Sequence, residues 1–153
     1  MFPQPEDQAD YSYPDDGLLQ AHDVVQDNEI RQPRHLDVHG ERALLVVKNG
    51  LTTGTTIGRA TGLESFTRSY PEYDIKHTST EIAILPYDKQ HAPFSAMGDS
   101  GSIVLDRTGR IVGLLTGGGG TTKKTDISYA TPYWWLENEI KKVFPDYHLY
   151  DAA

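Results

Sequence analysis

There is no cysteine anywhere in the 153 residues. That excludes disulfides, and with them the secreted, cross-linked class of small domain. Long hydrophobic runs are missing as well. No apolar stretch approaches the roughly 18 residues that a membrane span requires, so no membrane partner is expected. The first residues, Met1-Phe2-Pro3-Gln4-Pro5-Glu6-Asp7, have neither the basic start nor the apolar segment of a secretory signal. Basic charge is scarce: 14 Lys and Arg stand against 22 Asp and Glu, for a net −8. Nothing supplies the basic patch that nucleic acid demands. A cytoplasmic location is the expectation.

The acidity is unevenly placed. Residues 1–42 hold 10 acidic residues against Arg31, Arg34 and Arg42, a net of −7, whereas residues 43–153 hold 12 acidic against 11 basic, a net of −1. The first stretch is also Pro-containing, with apolar residues only in short pairs such as Leu18-Leu19 and Val24-Val25. Low hydrophobicity with excess like charge predicts a flexible leader over 1–42. Within it, Leu18–Val25 has the makings of a helical turn or a strand, and Gln32–Asp37 those of an extended linker. The domain proper is expected over 43–153, turn-rich and strand-rich, and long enough to bury its own core.

Ala43-Leu44-Leu45-Val46-Val47-Lys48 is a near-continuous apolar run, the pattern of a buried strand. Asn49-Gly50 predicts a hairpin turn, and the Thr-rich return Leu51–Ala60 a second strand. A loop is expected over Thr61–Ile75, then a strand over Thr80–Leu85 that Pro86 ends. Strands follow at Gly101–Leu105 and Ile111–Leu115, joined by the turn Asp106-Arg107-Thr108-Gly109-Arg110. The four glycines from Gly117 to Gly120 lack the Lys-Ser/Thr ending of a phosphate loop. Asp126–Ala130 reads as the last strand. Thr131 as N-cap and Pro132 at the first helical position predict a helix over 132–144. Its apolar stripe is Leu136, Ile140, Val143 and Phe144, and one of Trp134 and Trp135 is expected to anchor it. Six strands and one helix suit an all-β, antiparallel Greek-key barrel.

The most chemically charged stretch is Ser95-Ala96-Met97-Gly98-Asp99-Ser100-Gly101-Ser102, which runs straight into Ile103-Val104-Leu105. Glycines at 98 and 101 free the turn from crowding by a Cβ. Such a turn can aim the amides of residues 98–100 into one concavity beside the Ser100 hydroxyl. A plain hairpin turn of small residues would read the same way.

This Gly-Asp-Ser-Gly motif ahead of an apolar strand resembles the nucleophile loop of the trypsin-like (chymotrypsin-fold, S1-type) serine peptidases. Two further stretches strengthen the resemblance. Ile111–Gly118 is similar to the strand that walls the substrate cleft, and Val46–Gly58 to the hairpin that opens the second barrel, most like fungal and bacterial members. The resemblance covers residues 43 to 144 and implies a six-stranded barrel closed by a helix. It implies Ser100 as nucleophile, with the Gly98 and Ser100 amides as the oxyanion hole. Thr116, Gly117 and Gly118 would pair with an extended peptide backbone. Phe94, six residues before the nucleophile, takes the position at the floor of the specificity pocket, which a Phe makes apolar or fills. Asp99 belongs to the motif, yet its usual partner, a newly cut N-terminus, has no obvious source here; capping of its own turn is the other role open to it. No cofactor or metal is implied.

A serine needs a base to take its proton and an acid to orient that base. The family carries both on a preceding barrel, and no segment of residues 1–42 resembles it. Gln20-Ala21-His22-Asp23 is the nearest look-alike, and His91, nine residues before Ser100, is the other candidate; a solvated side chain is the plainer role for both. Three expectations stand together. The chain is a serine endopeptidase completed by a missing first barrel, a non-catalytic module that binds extended peptides, or a self-associating barrel in which a second copy covers the bare face.

Overall fold

The computed structural model describes residues 15, 19–69, 77–88, 92–120 and 127–149. Within them the elements are β1 (His22–Val24), α1 (Asp27–Arg31), β2 (Leu44–Gly50), β3 (Gly54–Ser69), β4 (His77–Pro86), β5 (Ile103–Asp106), β6 (Arg110–Gly119), β7 (Ile127–Pro132) and α2 (Tyr133–Val143). Six strands close on themselves. The order β6-β5-β2-β3-β4-β7 returns to β6, and every pair around the ring is antiparallel. β5 comes back across the molecule to lie beside β2, the Greek-key step. The all-β barrel with a C-terminal helix expected from the sequence is what the chain forms, and it is compatible with the barrel that the family resemblance implies.

Alternation along each strand fills the interior. Leu44 and Val46 from β2 meet Ala60, Ile82, Ile84, Val104, Val112, Leu115 and Ala130, all buried, with Phe94 added from the loop before β5. The β5–β6 hairpin turns where the sequence predicts it. Asp106 Oδ1 accepts the amides of Thr108 and Arg110, and Gly109 takes φ +100.

Several boundaries move. The β2–β3 turn lies at Leu51–Thr53 rather than at Asn49-Gly50, which stays in the ladder opposite Thr55 and Gly54. Such a three-residue loop needs a left-handed residue at its end, and Gly54 has φ +63. β3 continues to Ser69 through the stretch expected as a loop, pairing with β4 beyond a bulge between Ala60 and Glu64. Gly62, in that bulge, has φ +84, and a Cβ there would lie 2.5 Å from the Arg31 carbonyl. α2 begins one residue later than expected: Pro132 is its N-cap, without a side-chain hydrogen bond. Trp134 packs on the core, while Trp135, Val143 and Phe144 stay exposed. The stripe predicted to bury the helix is therefore only half covered. Among the described residues no helix is long and apolar enough to cross a membrane.

Part of the stretch expected as a flexible leader packs on the barrel, with a strand inside Leu18–Val25, one of the two forms expected there. β1 adds to β6 in parallel, His22 opposite Arg110 and Val24 opposite Ile111. Val24, Val25 and Ile30 are buried, the last two in the barrel core. Ion pairs fix α1: Arg31 to Glu64 at 2.6 Å and Glu29 to Arg110 at 3.0 Å. Asp37 is buried against Arg59 at 2.6 Å. Glu29 and Asp37, two of the acidic residues that suggested solvation, thus face arginines of the barrel. Ile30→Ala is expected to cost about 2–4 kcal/mol in urea denaturation, the range for a truncated core residue. A change below about 0.5 kcal/mol, normal for an exposed site, would show that this arm is dispensable.

Candidate functional site

The loop around Ser100 is organised from beneath by Asp99. Its carboxylate is fully buried and accepts four hydrogen bonds. The Thr52 and Thr53 amides donate to Oδ1 at 2.7 and 3.2 Å, and the Thr53 hydroxyl and Ala96 amide to Oδ2 at 2.6 and 3.0 Å. The ammonium of Lys48, also fully buried, lies 3.3 Å from Oδ2. It donates in addition to the Thr53 hydroxyl and to the Gly54 carbonyl at 3.1 Å, and it stands over the Phe94 ring at 5.8 Å from the centroid. Burial alone would raise the Asp99 pKa. The Thr53 hydroxyl and the three amides outweigh it and hold the carboxyl well below the usual range.

This pairing settles what Asp99 does in the fold. It caps the β2–β3 turn and ties that turn to its own loop, and the amine that meets it is a lysine from β2 rather than a chain terminus. It also explains the displaced hairpin, because the carboxylate takes the two turn amides. Gly50 is needed where it is, since a Cβ there would run into the Asp99 carboxylate. Lys48 and Thr53 were not singled out from the sequence. The available signal was a lysine at the end of an apolar run, in phase with the inward-facing Leu44 and Val46.

With Asp99 drawn inward, the backbone above it is left bare. The Asp99 amide donates to the Ala96 carbonyl at 3.1 Å and the Gly101 amide to Leu115 at 2.7 Å. Between and beside them, the amides of Gly98 and Ser100 have no hydrogen-bond partner among the described residues. Gly98 has φ +100 and Gly101 φ +86, the left-handed region that favours glycine. A Cβ on Gly98 would also lie 2.5 Å from the Thr52 hydroxyl. Ser100 is exposed, and its hydroxyl makes no hydrogen bond to a described residue.

The remaining predicted site residues fall into two groups. Phe94 is buried in the core, its ring closing on the space that Gly58 leaves, where a Cβ would come within 2.6 Å of it. It fills the position instead of lining an open pocket. Thr116, Gly117 and Gly118 lie on β6 just past the point where Gly101 and Ser102 bond to Leu115. There Gly117 and Gly118 pair with Tyr129 and Ser128 of β7, while the opposite edge of Thr116–Gly119 has no strand against it among the described residues. The structure therefore brings Gly98, Asp99, Ser100 and the start of this open edge together, and keeps Phe94 beneath them.

No described histidine is hydrogen-bonded to Ser100. His22 meets the Thr108 carbonyl at 3.0 Å, His35 meets Arg107 at 2.8 Å and His148 meets the Asp146 carbonyl at 3.1 Å. His91 lies outside the described residues. Lys48 is held by Asp99, Thr53 and Gly54, which removes it as an alternative base. A cleft of about 530 Å³ near α1, lined by Glu29, Arg34, His35 and Arg110 among others, includes none of the predicted site residues. No protein-family model matches the chain, and no curated protein matches it.

Proposed function

We propose that this barrel is the nucleophile-bearing half of a trypsin-like serine endopeptidase. Ser100 is the attacking group, and the Gly98 and Ser100 amides hold the oxyanion. One observation carries the reading: the two amides that flank a bare serine hydroxyl are the ones left uncommitted, while the carboxylate between them is pulled into the core. In acyl transfer the hydroxyl adds to the carbonyl carbon and negative charge grows on the carbonyl oxygen. Donors fixed in advance stabilise that charge, each worth about 2.7–4 kcal/mol in the transition state. The proton of Ser100 needs an imidazole within hydrogen-bond reach, and a separate His-bearing barrel is the source this reading calls for.

The chain alone is accordingly expected to resist a fluorophosphonate probe. Addition of a trypsin-like first barrel should give labelling at Ser100 by peptide mapping, and Ser100→Ala should abolish it. Rapid labelling of the lone chain would overturn the split-site reading. Failure to label with the barrel bound would overturn the assignment of Ser100.

The open edge of Thr116–Gly119 favours a second reading, an extended-peptide binder that gains affinity by adding a strand. Binding of an unmodified peptide that survives Ser100→Ala but is lost when a proline in that peptide removes the pairing amides would support it.

A further inference from the structure

The cleft of about 530 Å³ beside α1 lies between two parts of the chain. Asn28, Gln32, Arg34 and His35 come from the arm that packs on the barrel, whereas Leu44 and Arg110 belong to β2 and β6. Pro33 and Leu44 are buried and give the cleft an apolar floor, while Asn28, Gln32 and Arg34 are exposed at its rim. Its size falls within the range of about 300–1,000 Å³ usual for small-molecule sites, and an apolar floor with a few polar groups is their usual lining.

Its charged groups are unevenly committed. Glu29, the one carboxylate in the described lining, is spent on Arg110, whose Nη1 donates to its two oxygens at 3.2 and 3.0 Å. Arg110 donates from Nε to Asp106 at 2.9 Å, and its Nη2 has no partner among the described residues. Arg34 makes no hydrogen bond or ion pair to any described residue, and the side-chain amides of Asn28 and Gln32 make none either. Arg107 Nη2 stands 2.8 Å from Nδ1 of His35, so a third guanidinium backs the lining. What the cleft has to spare is therefore positive: one whole guanidinium and half of another. Guanidinium N–H groups match the oxygens of a carboxylate or phosphate in pairs, and such charge-assisted bonds are the strong ones.

We propose that this cleft binds a small organic anion, a carboxylate or phosphate group joined to an apolar body, and that the bound anion clamps the arm to the barrel. Arg34 and Nη2 of Arg110 take the acidic group, with the Asn28 and Gln32 amides at its edge. The apolar body lies on Pro33 and Leu44; a bare inorganic ion would leave most of the space to water. Arg34 moves with the arm and Arg110 with β6. A ligand that engages both binds the docked arm and not the detached one, so it stabilises docking by mass action. The cleft shares no residue with the Ser100 loop, and the proposal does not depend on the peptidase reading.

Benzoate and phenyl phosphate are the probes, titrated into the full chain by NMR at low salt, with benzyl alcohol as their neutral counterpart. Both anions should saturate, and added sodium chloride should weaken them. Arg34→Gln should weaken binding about tenfold or more, the loss of a charge-assisted hydrogen bond. Arg34→Lys should restore part of it, and Arg42→Gln, at an unpaired arginine outside the cleft, should change nothing. Arg34 is exposed and unpaired, so its variants should melt with wild type. At ten times Kd, the amides of residues 22–30 should exchange about tenfold more slowly. Tighter binding of phenyl phosphate would mark a phosphate monoester as the ligand class and tighter binding of benzoate a carboxylate, and either supports the site. Equal binding of benzyl alcohol, or wild-type binding by Arg34→Gln, would overturn anion recognition. Saturable binding with unchanged exchange would overturn the clamp. Absence of saturable binding of either anion would overturn the proposal.

Discussion

Asp99→Ala is expected to destabilise the barrel by about 3–5 kcal/mol, the range for breaking a buried ion pair from one side. The loss is large because the Lys48 ammonium stays behind, fully buried, with only Thr53 and Gly54 to hold it. The Thr52, Thr53 and Ala96 amides lose their acceptor at the same time. Against a typical total of 5–15 kcal/mol, such a variant is expected to be partly unfolded at 37 °C. Adding Lys48→Met should recover part of the loss, since the orphaned charge goes with it, and a double-mutant cycle in urea would measure the coupling. The pH dependence follows from the depressed carboxyl. Asp99 is harder to protonate in the fold than in the unfolded chain, so its contribution is complete above the unfolded value of about 3.9. It is lost as pH falls below that value toward the folded one. Asp37 acts in the same sense: burial raises its pKa, and the amides of Glu41 and His39 with the Arg59 guanidinium outweigh that. Wild type should therefore weaken steadily from pH 4 to pH 2, and Asp99→Ala should show a shallower slope. Parallel slopes would mean that Asp99 is not the group titrating.

Phe94→Ala carries the second large effect, about 3–5 kcal/mol for an aromatic ring removed from a packed core. The ring touches the interior on one side and faces the Lys48 ammonium on the other, so its loss also removes a cation–π contact. A companion substitution distinguishes packing from polarity. Gly58→Ala in the wild type pushes a Cβ to within 2.6 Å of the Phe94 ring and 2.8 Å of Ile84, and should destabilise by itself. In the Phe94→Ala background the first clash is gone, so the Gly58→Ala penalty should shrink. Additive effects in thermal melts would show that the two positions do not share the space.

The barrel was legible because its strands are rich in apolar and β-branched residues and most are divided by strong turn residues. Asp106 and Gly109 act within their own turn, so the β5–β6 hairpin falls where local chemistry puts it. Asn49-Gly50 failed for the opposite reason. The residue that decides the β2–β3 turn is Asp99, 46 positions away from Thr53, and its claim on two amides overrides the local preference. The acidic arm misled in the same way, since the arginines that neutralise Glu29 and Asp37 are Arg110 and Arg59, visible as partners only after folding. In the site, Gly98 and Ser100 could be named from the spacing of glycines around a serine. Lys48 could not: a lysine at the end of an apolar run looks like a solvated strand end, and only the fold buries it against Asp99.

β6 is bordered by two different strands along one edge: β1 runs parallel at Arg110 and Ile111, and β7 runs antiparallel from Gly113 onward. The contact of β1 joins residues about as distant as any in the ladder, with His22 bonded to Thr108 across 86 positions. Closing so long a loop is entropically slow, and the ring of six antiparallel strands can form without it. The arm should therefore dock after the rate-limiting step. Ile30→Ala would then accelerate unfolding in a chevron measurement while leaving the refolding limb nearly unchanged. In the native protein, amides of residues 22–25 would exchange by detachment of the arm alone, at a lower free energy than those of β2 or β6.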